Sequence, residues 1–177
     1  KRAEQQNEIK NLELMNQFHE RYQSLLINPD PKATRPGPLD KDGNVTKIPT
    51  GILNTSGSQA AGSSEYLEQE YASLQADFLP KQSNPYFRAK LGQHMHGTHG
   101  SGREIAMKHE VAQTRLFAVE TIDRKVQINV DKMGLAQTPE EKNKIIEDTE
   151  KTINIGQKQG LFSFGEAQKK RTDFDNQ

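Results

Sequence analysis

The apolar residues of this chain fall singly, three or four positions apart, between long polar stretches, and that spacing limits its possible folds more than any other feature. A period of three to four places side chains on one face of an α-helix, whereas a half-buried strand needs strict alternation. The longest run is Ile105, Ala112, Leu116, Val119, Ile122, Val126, Val130 and Met133, one stripe about eight helical turns long. Its β-branched members lower helix propensity slightly, but their spacing argues against a strand. Only 32% of the 177 residues are hydrophobic and 6% aromatic, where average globular chains carry roughly 45–50% apolar residues on a wider definition. The apolar material therefore belongs in narrow stripes along elongated elements, which leave part of their stabilisation to partners.

Read in order, residues 1–27 predict an amphipathic helix, with Ile9, Leu12, Met15, Phe18, Tyr22 and Leu25 at helical spacing and Asn28-Pro29 and Pro31 ending it. Residues 28–63 hold five prolines and five glycines and predict an irregular loop or arm, with a small hairpin near 39–46 turning at Asp42-Gly43. Ser63 and Ser64 offer N-cap hydroxyls to a helix over 64–79, carried by Leu67, Tyr71, Leu74 and Phe78. Asn84-Pro85 opens the next helix, over 85–133, with Phe87 and Leu91 on its first turns. Gly92, Gly97, Gly100 and Gly102 each cost roughly 1 kcal/mol relative to Ala in a helix interior, so a kink, break or close crossing is expected at 92–102. Gly134 is the expected C-cap. Thr138-Pro139-Glu140-Glu141 opens a helix over 139–159, with Ile145, Ile146, Thr149 and Ile153 inward and Gly160 ending it. Ser163-x-x-Glu166 repeats the capping-box spacing for a last helix over 164–175. The expected fold is all-α, an elongated bundle of antiparallel helical hairpins over 64–177 preceded by the arm and the first helix.

Composition excludes several function classes. Lys plus Arg and Asp plus Glu number 24 each, so no net field attracts nucleic acid or anionic lipid over distance. The balance also holds locally, with six basic and five acidic residues from Arg103 to Met133. Cysteine is absent, which removes disulfides, thiolate nucleophiles and Cys-based zinc sites. No stretch approaches the roughly 18 apolar residues of a membrane span, and no secretion leader is visible. The sequence starts at Lys1 without a methionine, and a piece of a longer polypeptide is expected.

The motifs with a chemical look are few. His94, His96 and His99 are the only candidate metal ligands, but on a continuous helix His94 stands about 200 degrees from His96, and no carboxylate follows in the manner of His-Glu-x-x-His. Solvated or packed histidines are the expectation, with no metal and no cofactor. Asp40 to Asn44 resembles the start of a calcium loop, but its glycine stands at position four and Gly51 falls where a bidentate Glu belongs, so a plain turn is expected. Lys108, His109 and Glu110 are neighbours that point in different directions on a helix, and His109 fits a hydrogen-bonded packing role. No nucleophile elbow, phosphate loop or dinucleotide fingerprint is present.

The succession Gly51-Ile-Leu-Asn-Thr-Ser-Gly-Ser-Gln-Ala60, Tyr66-Leu67-x-x-x-Tyr71-x-x-Leu74, Asn84-Pro85-Tyr86-Phe87, His109-Glu110-x-Ala112-Gln113 and Gly156-x-x-x-Gly160-Leu161 resembles a helical region of tailed-bacteriophage internal virion or ejection proteins. The resemblance spans about residues 51–177 and rests on hydrophobic spacings with few fixed polar residues; the histidine cluster and its glycines are not features of that group. It implies a non-enzymatic structural segment located in the capsid interior or tail and reaching the host envelope during DNA delivery, with any peptidoglycan-cleaving activity in a separate domain. The implied partners are other copies and portal, tail or internal proteins. From the spacing itself, Ile105, Ala112, Leu116, Val119, Ile122, Val126, Val130, Met133, Ile146 and Ile153 are expected to pack helix on helix and against neighbouring copies. The alternatives are an accessory segment of a virion-associated peptidoglycan hydrolase and a cellular helical adaptor.

Overall fold

In a computed structural model, which describes residues 2–30 and 32–176, the chain is mostly helical. Pro31, named above as a helix terminator, lies outside the described residues. Among those residues are five α-helices: α1 (Arg2–Leu26), α2 (Ser63–Phe78), α3 (Pro85–Leu135), α4 (Pro139–Lys158) and α5 (Phe164–Asp175). An antiparallel hairpin of β1 (Thr34–Leu39) and β2 (Val45–Pro49) lies between α1 and α2 in sequence.

Local chemistry sets most helix ends. The Asn84 side chain accepts from the Tyr86 and Phe87 amides at 3.0 and 3.3 Å, ahead of the proline that starts α3. Thr138 with Glu141 and Ser163 with Glu166 form reciprocal capping boxes on α4 and α5. Gly160 takes φ +69, which lets the Leu161 amide reach the Gly156 carbonyl at 2.9 Å and close α4. Two ends differ from expectation. Ser63 and Ser64 do not cap α2: Gly62, at φ +77, holds the N-cap position with no side-chain bond of its own. Gly134 is no C-cap either, because α3 runs on to Leu135 and the glycine keeps a right-handed backbone.

The segment expected as an irregular arm is more ordered than its prolines imply. Thr34 pairs with Pro49, Arg35 with Ile48 and Pro36 with Lys47, with a register irregularity before Leu39 meets Val45. Pro36 and Pro38 fit because a two-stranded ribbon leaves each strand an unpaired edge. Asp40 closes the turn, its carboxylate accepting from the Asp42 and Asn44 amides, both at 2.9 Å. Single 3-10 turns follow at Ile52–Asn54 and Gly57–Ala60, and Ile48, Ile52 and Ala60 are buried. Three anchors thus tie the segment down.

The chain forms two compact units, Lys1–Gln113 and Thr114–Gln177. In the first, Leu14, Phe18, Tyr22 and Leu26 of α1 pack with Leu67, Tyr71, Leu74 and Phe78 of α2 and with Leu91, Met95 and Ala106 of α3. Phe18 is the hub, with the rings of Tyr22, Tyr71 and Phe78 at 5.5, 6.5 and 5.9 Å. The buried row of α1 is rotated from the expected one, which leaves Ile9 and Leu12 exposed. In the second unit Ile122, Ile153, Phe162 and Ala167 are buried together, with Val119, Val126 and Leu161 packed on them.

α3 is continuous through 92–102, so the expected break does not occur, although a close crossing does. A Cβ on Gly102 would stand 2.3 Å from the Tyr22 hydroxyl and 2.5 Å from a ring carbon, so only glycine lets α1 come this near. Leu91, Met95, His99, Gly102 and Ala106 form one buried row at spacings of four, four, three and four. Their packing outweighs the glycine propensity cost. Gly97 faces open space. Gly102→Ala is therefore expected to lower stability by about 2 kcal/mol through overpacking, while Gly97→Ala should raise it by up to about 1 kcal/mol. Urea midpoints of the two variants check the opposite signs.

Candidate functional site

α3 carries two polar clusters, and the first surrounds His99. Continuous helix geometry keeps His94, His96 and His99 apart: His94 and His96 are exposed, while His99 is 5% exposed. His94 meets the Phe18 ring edge-on at 6.4 Å. Among the described residues no group of three or more His, Asp or Glu is placed to hold a metal ion.

The His99 ring stacks on Tyr71 with centroids 3.8 Å apart. Its Nε2 lies 3.1 Å from a Glu68 carboxylate oxygen and its Nδ1 3.0 Å from the Tyr22 hydroxyl. A carboxylate only accepts, which puts the proton on Nε2; Nδ1 then accepts from Tyr22. Burial, reinforced by the Glu68 charge, pushes the Tyr22 phenol well above its ordinary pKa and keeps it a neutral donor. Arg103 reaches the other Glu68 oxygen at 3.2 Å, but both side chains are largely exposed and the pair adds only about 0–1 kcal/mol. Carboxylate, imidazole and hydroxyl in a row are the parts of an acid/base relay. Here the row ends on a fully buried tyrosine. What it does physically is fix α1, α2 and α3 to one another.

The second cluster joins two of the motifs picked out above. The His109 Nε2–H donates to the Thr55 carbonyl at 2.9 Å, and the Gly57 amide donates to the Gln113 side chain at 3.1 Å. Glu110 accepts from the Gly62 amide at 2.8 Å and from the Ser64 amide at 2.9 Å, serving as the cap that α2 lacks in its own sequence. Gly51–Ala60 and His109–Gln113 thus meet across more than fifty residues, with His109 in the hydrogen-bonded packing role its position suggested. Sequence reading missed Glu110 as a cap and Tyr22 and Glu68 as partners of His99. The signals were a buried row that turns polar on α3 and a helix start with no side-chain cap.

In the second unit the Asn129 amide donates to Asp148 and to the Thr149 hydroxyl, both at 2.9 Å. Lys125 pairs with Asp148 at 2.8 Å, and Arg171 joins α5 to Glu150 and Asn154 of α4 at 3.0 and 2.7 Å. Of the expected contact residues, Ile122 and Ile153 are buried, Val119 and Val126 pack on them, and Val130 and Met133 are half-buried. Ile105, Ala112, Leu116 and Ile146 are exposed. In the first unit α3 buries Gly102, Ala106 and His99 and not the Ile105 face, while Thr149 and Gly156 turn Ile146 to the edge of the α4 seam.

Two predictions follow from these bonds. Tyr22→Phe keeps the ring but leaves the buried His99 Nδ1 without a donor, and is expected to cost about 1–3 kcal/mol in denaturant unfolding. Burial pushes the Glu110 carboxyl up, yet hydrogen bonds from Ser64 and the Gly62 amide outweigh it and hold the pKa below the ordinary value. A carboxyl with a lower pKa folded than unfolded stabilises fully above its unfolded value of about 4.3, and that contribution is lost as pH falls through the folded value. Glu110→Gln is therefore expected to cost about 1 kcal/mol at neutral pH and to narrow the stability gap between pH 7 and roughly pH 3.5. Urea midpoints at the two pH values measure it. Comparison of the chain with protein-family models, with curated proteins and with solved structures finds no match to any of them.

Proposed function

We propose that the chain is a non-catalytic structural and assembly segment of a tailed-bacteriophage virion protein, an internal core, ejection or tail-associated protein acting through association of its helices with other copies. In this reading it resides in the capsid interior or tail, contacts portal, tail or internal proteins, and reaches the host envelope during DNA delivery. Any catalytic activity belongs to a part of the protein outside these residues.

The observation that supports the reading most is the set of large apolar side chains left in solvent, among them Ile9, Leu12, Ile105, Leu116, Phe117 and Leu135. Covering each would contribute about 1–2 kcal/mol, against roughly 4–15 kcal/mol for the freedom lost on association. One contact of two or three residues is therefore weak, and stable assembly requires several contacts per copy, as in a ring or tube. The polar clusters on α3 are engaged in internal hydrogen bonds, so recognition falls to these apolar rows and their charged flanks.

Quantitative mass spectrometry of purified particles tests the proposal. The expected result is the intact polypeptide in a fixed copy number per particle; its absence from particles overturns the reading. Peptidoglycan cleavage that depends on residues of this segment would also overturn it.

A further inference from the structure

Two exposed surfaces in this chain are each aliphatic and carry opposite charge balances at their borders. On α1, Ile9 and Leu12 are each 57% exposed, three residues apart on the face opposite the buried row of Leu14, Phe18 and Tyr22. Glu8 and Glu13 flank them and are exposed. Among the described residues neither carboxylate forms a salt bridge. Glu8 lies toward Lys90 of α3, on which its charge acts, and Glu13 borders the ridge on its other side, so the aliphatic ridge carries an acidic border.

The second surface lies where α3 turns into α4. Lys132, Leu135 and Ala136 face Glu141, Lys144 and Ile145 across a groove of about 330 Å³. Leu135 is 80% exposed and Ile145 half-buried. Glu141 is occupied by its own helix start, accepting from the Gln137 and Thr138 amides. Lys132 and Lys144 are exposed and form no salt bridge among the described residues. The groove is therefore aliphatic along Leu135, Ala136 and Ile145, and its rim holds two lysines against the one carboxylate of Glu141, which leaves it basic on balance.

We propose that the α1 ridge of one copy docks into the α3–α4 groove of a second copy, with Ile9 and Leu12 against Leu135 and Ile145, and Glu8 and Glu13 beside Lys132 and Lys144. This rests on the self-association reading above and names its contact. The two surfaces differ, so the contact is heterologous: each copy offers one ridge and one groove, and copies add in series until the rotation closes a ring or continues as a filament. Opposite charges at the rim fix the register and reject the like-charged pairings of ridge with ridge and groove with groove.

Charge exchange on the full chain tests it, with sedimentation read over a concentration series. Glu8→Lys with Glu13→Lys makes the ridge basic, and Lys132→Glu with Lys144→Glu makes the groove acidic. All four side chains are exposed, and helical circular dichroism checks that each variant folds. Each pair alone sets like charges against each other and is expected to weaken association at least about tenfold. Equimolar mixing of the two pair variants, or all four substitutions in one chain, restores opposite charges and should restore association. Association that survives both pair substitutions, or that is not regained on mixing, overturns the docking contact and leaves self-association standing. A wild-type chain that is monomeric at every concentration overturns both.

Discussion

The imidazole of His99 lies flat on the Tyr71 ring while its two nitrogens reach Tyr22 on α1 and Glu68 on α2, so one side chain sets the rotation and height of three helices at once. The aromatic and aliphatic side chains packed around Phe18 supply the apolar core of that unit, but burial is non-directional and tolerates sliding. Hydrogen bonds to fixed nitrogens do not. The glycine at 102 belongs to the same constraint, since the tyrosine hydroxyl reaches His99 only if nothing projects from that turn of α3.

A chain poor in apolar residues must locate its segments by other means, and here polar side chains do so repeatedly. His109, Glu110 and Gln113 take three consecutive pieces of the Gly51–Ser64 segment, and Asn129 bridges α3 to α4. Each such bond is worth about 0.5–1.5 kcal/mol net, less than a buried leucine. Together they select one arrangement from those that bury similar area. The cost of losing one partner exceeds the gain from making the bond, because the group left behind is buried and unpaired.

Local features were the legible part of the sequence. Helix existence followed from period, and the starts at Asn84, Thr138 and Ser163 followed from caps whose partners lie within three residues. What period alone did not resolve was the angle of the buried face. Successive steps of three from Ile9 through Leu12 and Met15 to Phe18 each look helical but drift about 60° apiece around α1, so Ile9 ends opposite Phe18, whereas Leu14, four residues before it, shares its face. On α3, Ile105 and Leu116 share a face that stands about 100° or more from Ile122. The true row in the first unit runs through His99, Gly102 and Ala106, two of them small and one polar, so a search for large apolar residues passes over it. The hairpin extends beyond the expected 39–46 because its prolines suppress a strand signal that a two-stranded edge tolerates. The pairing of His109–Gln113 with the Gly51–Ser64 segment is a contact between distant positions, and single-residue chemistry at either end does not reveal its partner.

The cap on α2 comes from a carboxylate 46 residues away in sequence, whereas α4 and α5 carry theirs within their own first turns. Forming a first helical turn is the unfavourable step in helix growth, and a nearby cap lowers that barrier before any tertiary contact exists. α4 and α5 are therefore equipped to flicker into helix in a newly made or unfolded chain. α2 lacks that local help and takes its cap from α3. Within the first unit the two kinds of start coexist, since α3 is capped locally by Asn84 while α2 gains its cap only once Glu110 of α3 is in place.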